Sequence, residues 1–369
     1  MKKHFLKLII TCLIILSCDS NDDSNSSSDN FNRKALLENY TENLIIPSYE
    51  KFNSDLVALK TATTNFENER NSENYNALNQ SWINTYLSWQ YVEMFNIGLA
   101  EEKYYMNKIN IYPVDTNIIE SNVASENLEV SNNNNFRARG LPALDYLLHG
   151  IANNKEAILE IYNSESGQKY LNYFDAIVNY INQITIEILN DWQLNKNAFI
   201  NDNGNTANSS LNKLTNDFIY YYEKGLRSNK IGYPAGVFSS NSTHPKDVEA
   251  FYNNQISRRL ALEAFNACDN FFNGKDYITG EEGPSLKSYI DYLESVGNSN
   301  DLSNRINIQF EKSIDKINAL NLSFYNQIIE DNNKMLQTFD VIQEGVVMMK
   351  VEMLQKLSIN VDYVDADGD

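Results

Sequence analysis

Apolar residues recur every three or four positions along most of this chain, which is the spacing of one buried face on an α-helix. Three stretches show the pattern most clearly, and the last mostly alternates steps of four and three, as packed bundles do. Their faces comprise Tyr49, Phe52, Leu56, Leu59, Thr63 and Phe66; Tyr170, Phe174, Ile177, Ile181, Ile184 and Ile188; and Met335, Phe339, Ile342, Val346, Met349, Met353 and Leu357. No stretch combines period-two alternation with hairpin turn signals. The sequence therefore predicts an all-α protein built from helical bundles.

Irregular segments divide the helical pattern. The clearest is an Asn-rich run with Gly204, which predicts a linker at 196–210 between an N-terminal bundle domain, 33–195, and a C-terminal bundle domain, 211–369. Two further irregular regions, around 101–139 and 228–245, contain proline and glycine. Long irregular segments in a helical protein are common places for binding groups. We therefore expect candidate site residues in them.

The N-terminus has the features of an export signal. Three lysines flank the start of an apolar run that ends in Ile15-Leu16-Ser17-Cys18, a match to the lipobox that precedes lipidation and cleavage. The run is shorter than the roughly 20 residues of a membrane-spanning helix. We predict a signal peptide at 1–17, acylation of Cys18 and a flexible tether at 18–32. The expected location is the bacterial cell envelope, at the outer membrane, with the lipid bilayer as a partner and the leaflet left open.

Charge and cysteine content narrow the function classes. The chain has 30 Lys and Arg against 49 Asp and Glu, a net charge of -19, and cleavage of the signal would remove three more lysines. Such a surface repels nucleic acid, so we expect no nucleic-acid partner. Cys12 would leave with the signal and Cys18 would carry lipid. Only Cys268 remains, and we interpret it as a small core residue.

Glu93 continues an apolar face where an uncharged residue is expected. Trp82, Tyr86, Trp89 and Glu93 lie at helical intervals of four, three and four. A buried acid needs a partner. Two interpretations stay open: Glu93 is a site ligand or a member of a polar network, or it is partly exposed and paired with a basic residue at the end of the bundle.

Asp145 interrupts the apolar face of 141–148 in the same way. Pro142 suits the first turn of a helix, where its missing N–H costs nothing. Arg137 and Arg139 would then lie at the helix start, within reach of Asp145 or of an anionic ligand. The alternatives are an Arg–Asp clamp that fixes the start of the helix and a ligand site.

Glycine and proline cluster in the third irregular region. Lys230, Gly232, Pro234 and Gly236 form a segment whose backbone can approach a neighbouring element closely. We expect Glu249 to start the next helix, after Pro245.

Several segments together resemble the imelysin family, also labelled peptidase M75. The resemblance covers nearly the whole chain after the tether, and it lies in residues 82–98, 111–117, 140–148, 230–236, 248–252 and 357–369. It implies two all-α bundle domains with a site in the groove between them, in an exported or surface-lipidated protein tied to iron acquisition.

The family hallmark is Gly-x-His-x-x-Glu, whose His and Glu are the proposed metal ligands. Here Gly140 matches, but Pro142 stands at the His position and Asp145 at the Glu position. Zinc peptidases need about three protein ligands, rich in His, and an activating carboxylate. After the signal, only His149 and His244 are present, and His-Glu-x-x-His does not occur. The sequence thus argues against a zinc peptidase.

Three functions remain as hypotheses. The first is a non-enzymatic surface lipoprotein that binds iron or an iron compound in an acidic, Tyr-containing cleft, since hard oxygen ligands suit ferric iron. Its expected iron ligands are Asp145, Asp115, Glu93, Glu249 and Tyr112, and its other binding residues are Arg139, Gly140, Pro142, Lys230, Gly232, Pro234 and Gly236. The second is a metallopeptidase of the M75 type. The third is a scaffold for an outer-membrane iron transporter, without a small ligand.

Overall fold

The computed structural model describes residues 29–240, 242–297 and 301–361. Cys18, the predicted signal peptide and most of the tether lie outside these residues. Within the described ranges there is no β-strand, and the single isolated bridge joins Lys275 and Glu282. The prediction of an all-α protein is confirmed.

The first half of the chain contains nine α-helices and a π-helical turn among its described residues. They are α1 (Arg33–Asn39), π1 (Tyr40–Ile45), α2 (Ile46–Asn68), α3 (Ser72–Trp89), α4 (Leu99–Glu102), α5 (Tyr105–Ile109), α6 (Thr116–Ser125), α7 (Gly140–His149), α8 (Lys155–Tyr162) and α9 (Gly167–Asn201). A short 3₁₀ helix, Asn133–Asn135, precedes α7. Capping side chains set several of the starts. Asn71 accepts a hydrogen bond from the Asn74 N–H at α3, and Asn154 accepts one from Ala157 at α8.

The second half adds further helices within the described ranges. They are α10 (Ser210–Tyr220), π2 (Tyr221–Gly232), α11 (Ser257–Asn273), α12 (Leu286–Gly297), α13 (Leu302–Asn318), α14 (Phe324–Val347), π3 (Met348–Met353) and α15 (Leu354–Leu357). A 3₁₀ helix, Pro245–Asp247, lies between π2 and α11. None of the described helices is both long and apolar enough to span a bilayer.

The apolar faces read from the sequence form the core. All six positions of the 49–66 face are buried in α2, which packs against α3 and α9. All seven positions of the 335–357 face are buried in α14, π3 and α15. In the 170–188 face Tyr170 is only half-buried and the other five are buried. Each buried large side chain contributes about 1.5–3 kcal/mol relative to its exposed state. Cys268 is buried in α11, as expected.

The irregular segments contain more helix than the sequence suggests. Helix α9 continues to Asn201, so the connection to α10 covers residues 202–209 and is shorter than the predicted linker. The region around 101–139 holds short helices α5 and α6, and the region from 228 begins inside π2. Phe31, near the end of the predicted tether, stacks on Tyr289 with ring centroids 4.2 Å apart. The buried apolar residues of both halves form one continuous core, and the division into two domains stays a prediction.

Candidate functional site

A lysine and two glutamates form a buried ion cluster. The Lys230 Nζ lies 2.7 Å from Glu249 Oε2 and 3.3 Å from Glu93 Oε2. The exposed fractions of the three residues are 1%, 2% and 7%, respectively. Three sequence-predicted residues therefore meet at one point. Glu93 is a buried network member, which was one of the two interpretations of its position.

Each member of the ion cluster comes from a different part of the chain. Glu93 follows α3 by one turn, and its N–H donates to the Trp89 carbonyl at 3.0 Å. Lys230 lies in π2, where hydrogen bonds run i→i+5 and residues four or five apart share one side. The expectation that Glu249 starts a helix is wrong, because α11 begins only at Ser257. Val248 is extended and Ala250 has a φ of +54°, so the backbone around Glu249 cannot be helical.

Neutral donors satisfy the carboxylate oxygens. The Asn110 amide donates to Oε1 of Glu93 and to Oε1 of Glu249, both at 2.8 Å. The side chain of Gln90 donates to Glu249 at 3.2 Å, and the Tyr221 hydroxyl donates to Glu93 at 3.0 Å. With two carboxylates and one ammonium, the cluster carries a net negative charge of one.

A second layer holds Asn110 in place. The Tyr86 hydroxyl donates to Asn110 Oδ1 at 2.6 Å. Tyr86 belongs to the aromatic face that Glu93 continues, so that face supplies both an acid and a hydroxyl that orients its partner. Sequence reasoning missed Gln90, Asn110 and Tyr221 as members of this network. Tyr86 was visible only as a core aromatic.

The surroundings of the ion cluster determine the protonation states of Lys230, Tyr221 and Tyr86. Burial alone would lower the pKa of Lys230, but the Glu249 and Glu93 carboxylates outweigh burial and raise that pKa above the usual 10.5. Burial, reinforced by the same carboxylates, raises the pKa of the Tyr221 phenol well above 10.0. Tyr86 is affected in the same way. Lys230 is therefore charged and both phenols are neutral at neutral pH.

These shifts predict that the protein loses stability as pH rises above about 10. In the unfolded chain Tyr86 and Tyr221 ionise near their ordinary pKa of 10.0, whereas in the folded chain they stay protonated to higher pH. The unfolded state then binds fewer protons, so each such group lowers the free energy of unfolding by about 1.4 kcal/mol per pH unit in that range. Lys230 acts with the same sign above 10.5. Urea unfolding across alkaline pH measures the slope.

Tyr86→Phe supplies the control for the alkaline prediction. The variant removes one ionising group, so its stability should fall less steeply with pH even though it starts from a lower value. Ultraviolet absorbance should show the exposed tyrosines ionising first and the buried phenols ionising together with unfolding. Ionisation of the buried phenols in a still-folded protein would contradict the prediction.

A polar cleft of about 380 Å³ opens beside the ion cluster. Its lining includes Glu93, Asn110, Tyr112, Asn229, Tyr233 and Asp247. The first three come from the N-terminal half of the chain and the last three from the C-terminal half. Glu93 and Asn110 belong to both the cluster and the cleft wall, so the buried negative charge lies directly beside the cleft. Burial and then the nearby Glu249 and Glu93 carboxylates raise the pKa of the Tyr112 phenol well above 10.0.

A smaller pocket of about 150 Å³ adjoins the cleft through Tyr112. Pro142, Asp145 and Tyr252 are among its lining residues. The Asp145 carboxylate is 1% exposed and accepts the backbone N–H groups of Tyr252 and Asn253, each at 2.9 Å. A ring nitrogen of His149 lies 2.9 Å from the same carboxylate. Asp145 thus ties α7 to the segment that follows Glu249.

Of the two alternatives for Asp145, the clamp between an arginine and this carboxylate is wrong. Arg137 donates to the Pro113 carbonyl at 2.8 Å. Arg139 donates to the carbonyls of Val130 and Ser131, each at 3.1 Å. The backbone N–H groups occupy the carboxylate instead, so its charge is satisfied without an arginine.

Gly140, Gly232 and Gly236 allow neighbouring segments to approach the backbone closely. Gly140 has a φ of +83°, and a Cβ there would lie 2.3 Å from the Ile109 carbonyl oxygen. A Cβ at Gly232 would lie 2.6 Å from the Phe339 ring. Gly236 has a φ of +85°, and the Pro234 carbonyl accepts the N–H of His244 at 2.9 Å. These residues shape the chain around the cleft rather than line it.

Asp115 has a local role in the structure. Its carboxylate caps α6 by accepting the N–H groups of Asn117 at 3.0 Å and Ile118 at 3.3 Å. It is half-buried and lines neither the cleft nor the smaller pocket. The structure therefore brings Glu93, Glu249, Lys230 and Tyr112 to one site, with Asp145 in the adjoining pocket and Asp115 apart.

The cluster is a poor fit for a resident iron ion as it stands. The Lys230 ammonium already fills the position between the two carboxylates, so a metal cation there would meet a fixed positive charge. The Asp145 oxygens are engaged by backbone N–H groups. Across the part of the chain that the structure describes, no three His, Cys, Asp or Glu side chains form a group able to hold a metal ion.

The fold and cleft define an all-helical protein whose polar cleft lies over a buried ion cluster. The family model described as imelysin, peptidase M75, matches residues 45–345, and the chain belongs to that family. Among solved structures, an imelysin-like protein from Psychrobacter arcticum is 18% identical, with a TM-score of 0.66 over 90% of this chain and 97% of that one. An iron-regulated protein A precursor from Parabacteroides distasonis is 15% identical, with a TM-score of 0.68 over 88% and 95%. The TM-scores show that these proteins share the fold. No curated protein sequence matches the chain significantly.

Proposed function

We propose that this protein is a lipid-anchored, non-enzymatic binding component of iron uptake that captures an iron compound in the polar cleft. The observation that carries the proposal is the buried, net-negative ion cluster at the cleft wall. Membership of the imelysin family supports the general role, and so does the name of the Parabacteroides relative, which describes that protein as iron-regulated. The lipid on Cys18 and hand-over to an outer-membrane iron transporter are parts of the same proposal.

The ion cluster favours a chelated iron over a bare ion. Its oxygens already accept hydrogen bonds from Asn110, Gln90 and Tyr221, so direct ligation would break a satisfied network. A chelate brings its own iron ligands and needs only contacts to its outer surface. The cleft, at about 380 Å³, is of the size that small-molecule sites have.

The acidic residues of the cleft favour some iron chelates over others. Glu93 and Asp247 line the cleft, and no Lys or Arg is among its lining residues within the described chain. A strongly anionic chelate, such as a ferric tris-catecholate, would meet like charge there. A neutral or cationic hydroxamate chelate would not be repelled by these carboxylates. The aromatic rings of Tyr112 and Tyr233 offer apolar area to its organic backbone.

We expect ferrioxamine B, a cationic ferric hydroxamate, to bind the purified protein with a Kd on the order of micromolar. Ferric enterobactin, a tris-catecholate, should bind far more weakly. Tyr233→Ala should weaken ferrioxamine B binding by roughly tenfold, because Tyr233 is half-exposed at the cleft and offers its ring to the chelate. Titration calorimetry measures these affinities.

Tyr104→Ala is the matched control, since Tyr104 is an exposed tyrosine outside the cleft and should not affect the affinity. Absence of binding by either chelate, with co-purification of an outer-membrane transporter, would favour the scaffold hypothesis. Chelator-sensitive cleavage of unfolded substrates would favour the metallopeptidase, for which the described residues offer no ligand set.

A further inference from the structure

A second concave site, which shares no lining residue with the cleft, lies between α5, the 128–131 segment and α9. This groove encloses about 540 Å³, and its lining includes Lys103, Lys108, Ser131, Tyr180, Gln183 and Glu187. We call it the basic groove. Two lysines on one groove are notable in a chain with 49 acidic and 30 basic residues, because the average surface has the opposite sign.

Arg139 adds a third positive charge behind the basic groove. Its side chain is only 4% exposed. Its guanidinium lies 5.6 Å from the centre of the Tyr180 ring, and it donates to the carbonyls of Val130 and Ser131, all of which are groove residues. No carboxylate of the described chain lies within ion-pair distance of it, and its Nε is buried without a hydrogen-bond partner. The positive charge of Arg139 is therefore not neutralised locally.

The two lysines differ in their partners. Lys103 pairs with Glu187 at 2.7 Å, across the groove wall. Among the described residues no carboxylate lies within ion-pair distance of Lys108, and Glu187 acts on it only from farther away. Partial burial, and then the charges of Arg139 and Lys103, lower the pKa of Lys108, and the Glu187 carboxylate offsets only part of this shift. An anion placed beside Lys108 would relieve that repulsion.

We infer that the basic groove binds a small oxyanion, a phosphate or a carboxylate-bearing molecule, with Lys108 as its main contact. Lys103 is a second contact for the anion, and the Glu187 carboxylate competes with the anion for Lys103. Arg139 contributes through its field from behind the groove. Nothing in this inference depends on the polar cleft, so either site can fail without the other.

Opposite effects of two substitutions test the inference. Titration calorimetry with sodium phosphate, and separately with sodium citrate, should show saturable binding that sodium chloride at equal ionic strength does not reproduce. Lys108→Met should weaken binding by roughly tenfold or more, the size of a lost charge-assisted hydrogen bond. Glu187→Gln should strengthen binding, because it frees Lys103. Both residues are partly exposed, so folding should be preserved, and thermal unfolding checks this.

Lys213→Met is the control of equal charge, since Lys213 is an exposed residue of α10 outside the groove. It should leave binding unchanged. Equal weakening by Lys213→Met and Lys108→Met would show non-specific attraction and overturn the inference, as would the absence of binding by both anions. Flotation with phosphatidylglycerol vesicles separates the sources of phosphate. Lys108-dependent flotation without binding of soluble anions would overturn a small-molecule site.

Discussion

Lys230→Met is expected to lower the free energy of unfolding by about 3–5 kcal/mol at neutral pH. Lys230 is the only cation within ion-pair distance of Glu93 and Glu249 among the described residues. Its removal leaves two carboxylates in a buried site with hydrogen bonds from neutral donors alone. The penalty is that of uncompensated buried charge, which far exceeds the net value of the ion pair itself. Urea unfolding followed by circular dichroism measures it.

Two comparisons separate this explanation from a general loss of packing. Lys51→Met removes a lysine that pairs with Asp55 on the surface of α2, and it should cost at most about 1 kcal/mol. The triple variant Glu93→Gln, Lys230→Met, Glu249→Gln has no charge left in the ion cluster. With the charges of the ion cluster alone removed and the other buried charges unchanged, it should recover much of the stability that the single variant loses. A triple variant less stable than Lys230→Met would contradict the assignment of the penalty to charge.

Local periodicity predicted the helical core because a buried face depends on neighbours three and four residues away. The 49–66 and 335–357 faces are buried at every position read from the sequence. The same reasoning located Glu93, since an acid on an apolar face signals a buried partner. It could not name that partner. Glu93 meets Lys230 at a separation of 137 residues, and no local pattern encodes that contact.

Proximity in sequence misled the interpretation of Asp145. Arg137 and Arg139 are its nearest cations along the chain, yet both donate to backbone carbonyls. The donors that its carboxylate accepts are backbone N–H groups 107 and 108 residues away. Backbone donors carry no sequence signature, so a side chain that binds them resembles an unpaired acid in the sequence.

The helical π2 segment illustrates a different limit. Glycine and proline after residue 228 predict irregular backbone, but π2 continues to Gly232 and ends only there. A π-helix has no composition of its own, and its wider turn is stabilised by tertiary contacts. Ten of its 12 residues are buried. In this buried segment Tyr221 and Lys230, nine positions apart, both donate to the Glu93 carboxylate.

Asp145→Ala is expected to lower the free energy of unfolding by about 3 kcal/mol. The substitution leaves the buried N–H groups of Tyr252 and Asn253 without an acceptor and removes a partner of His149. Asp145→Asn should cost less, because its one carbonyl oxygen can still accept one of the two N–H groups. Thermal and urea unfolding of the three proteins measure the order.

Asp115→Ala is the control that distinguishes a tertiary tie from a helix cap. Asp115 also accepts two backbone N–H groups, but within its own helix and at a partly exposed position, so its loss should cost about 1 kcal/mol.

Ferric iron is expected to leave the unfolding temperature of the wild type unchanged, because backbone N–H groups already occupy the Asp145 oxygens. A metal-dependent rise that disappears in Asp145→Asn would instead make Asp145 a ligand, and the position would then act as the family motif implies, despite the change from glutamate.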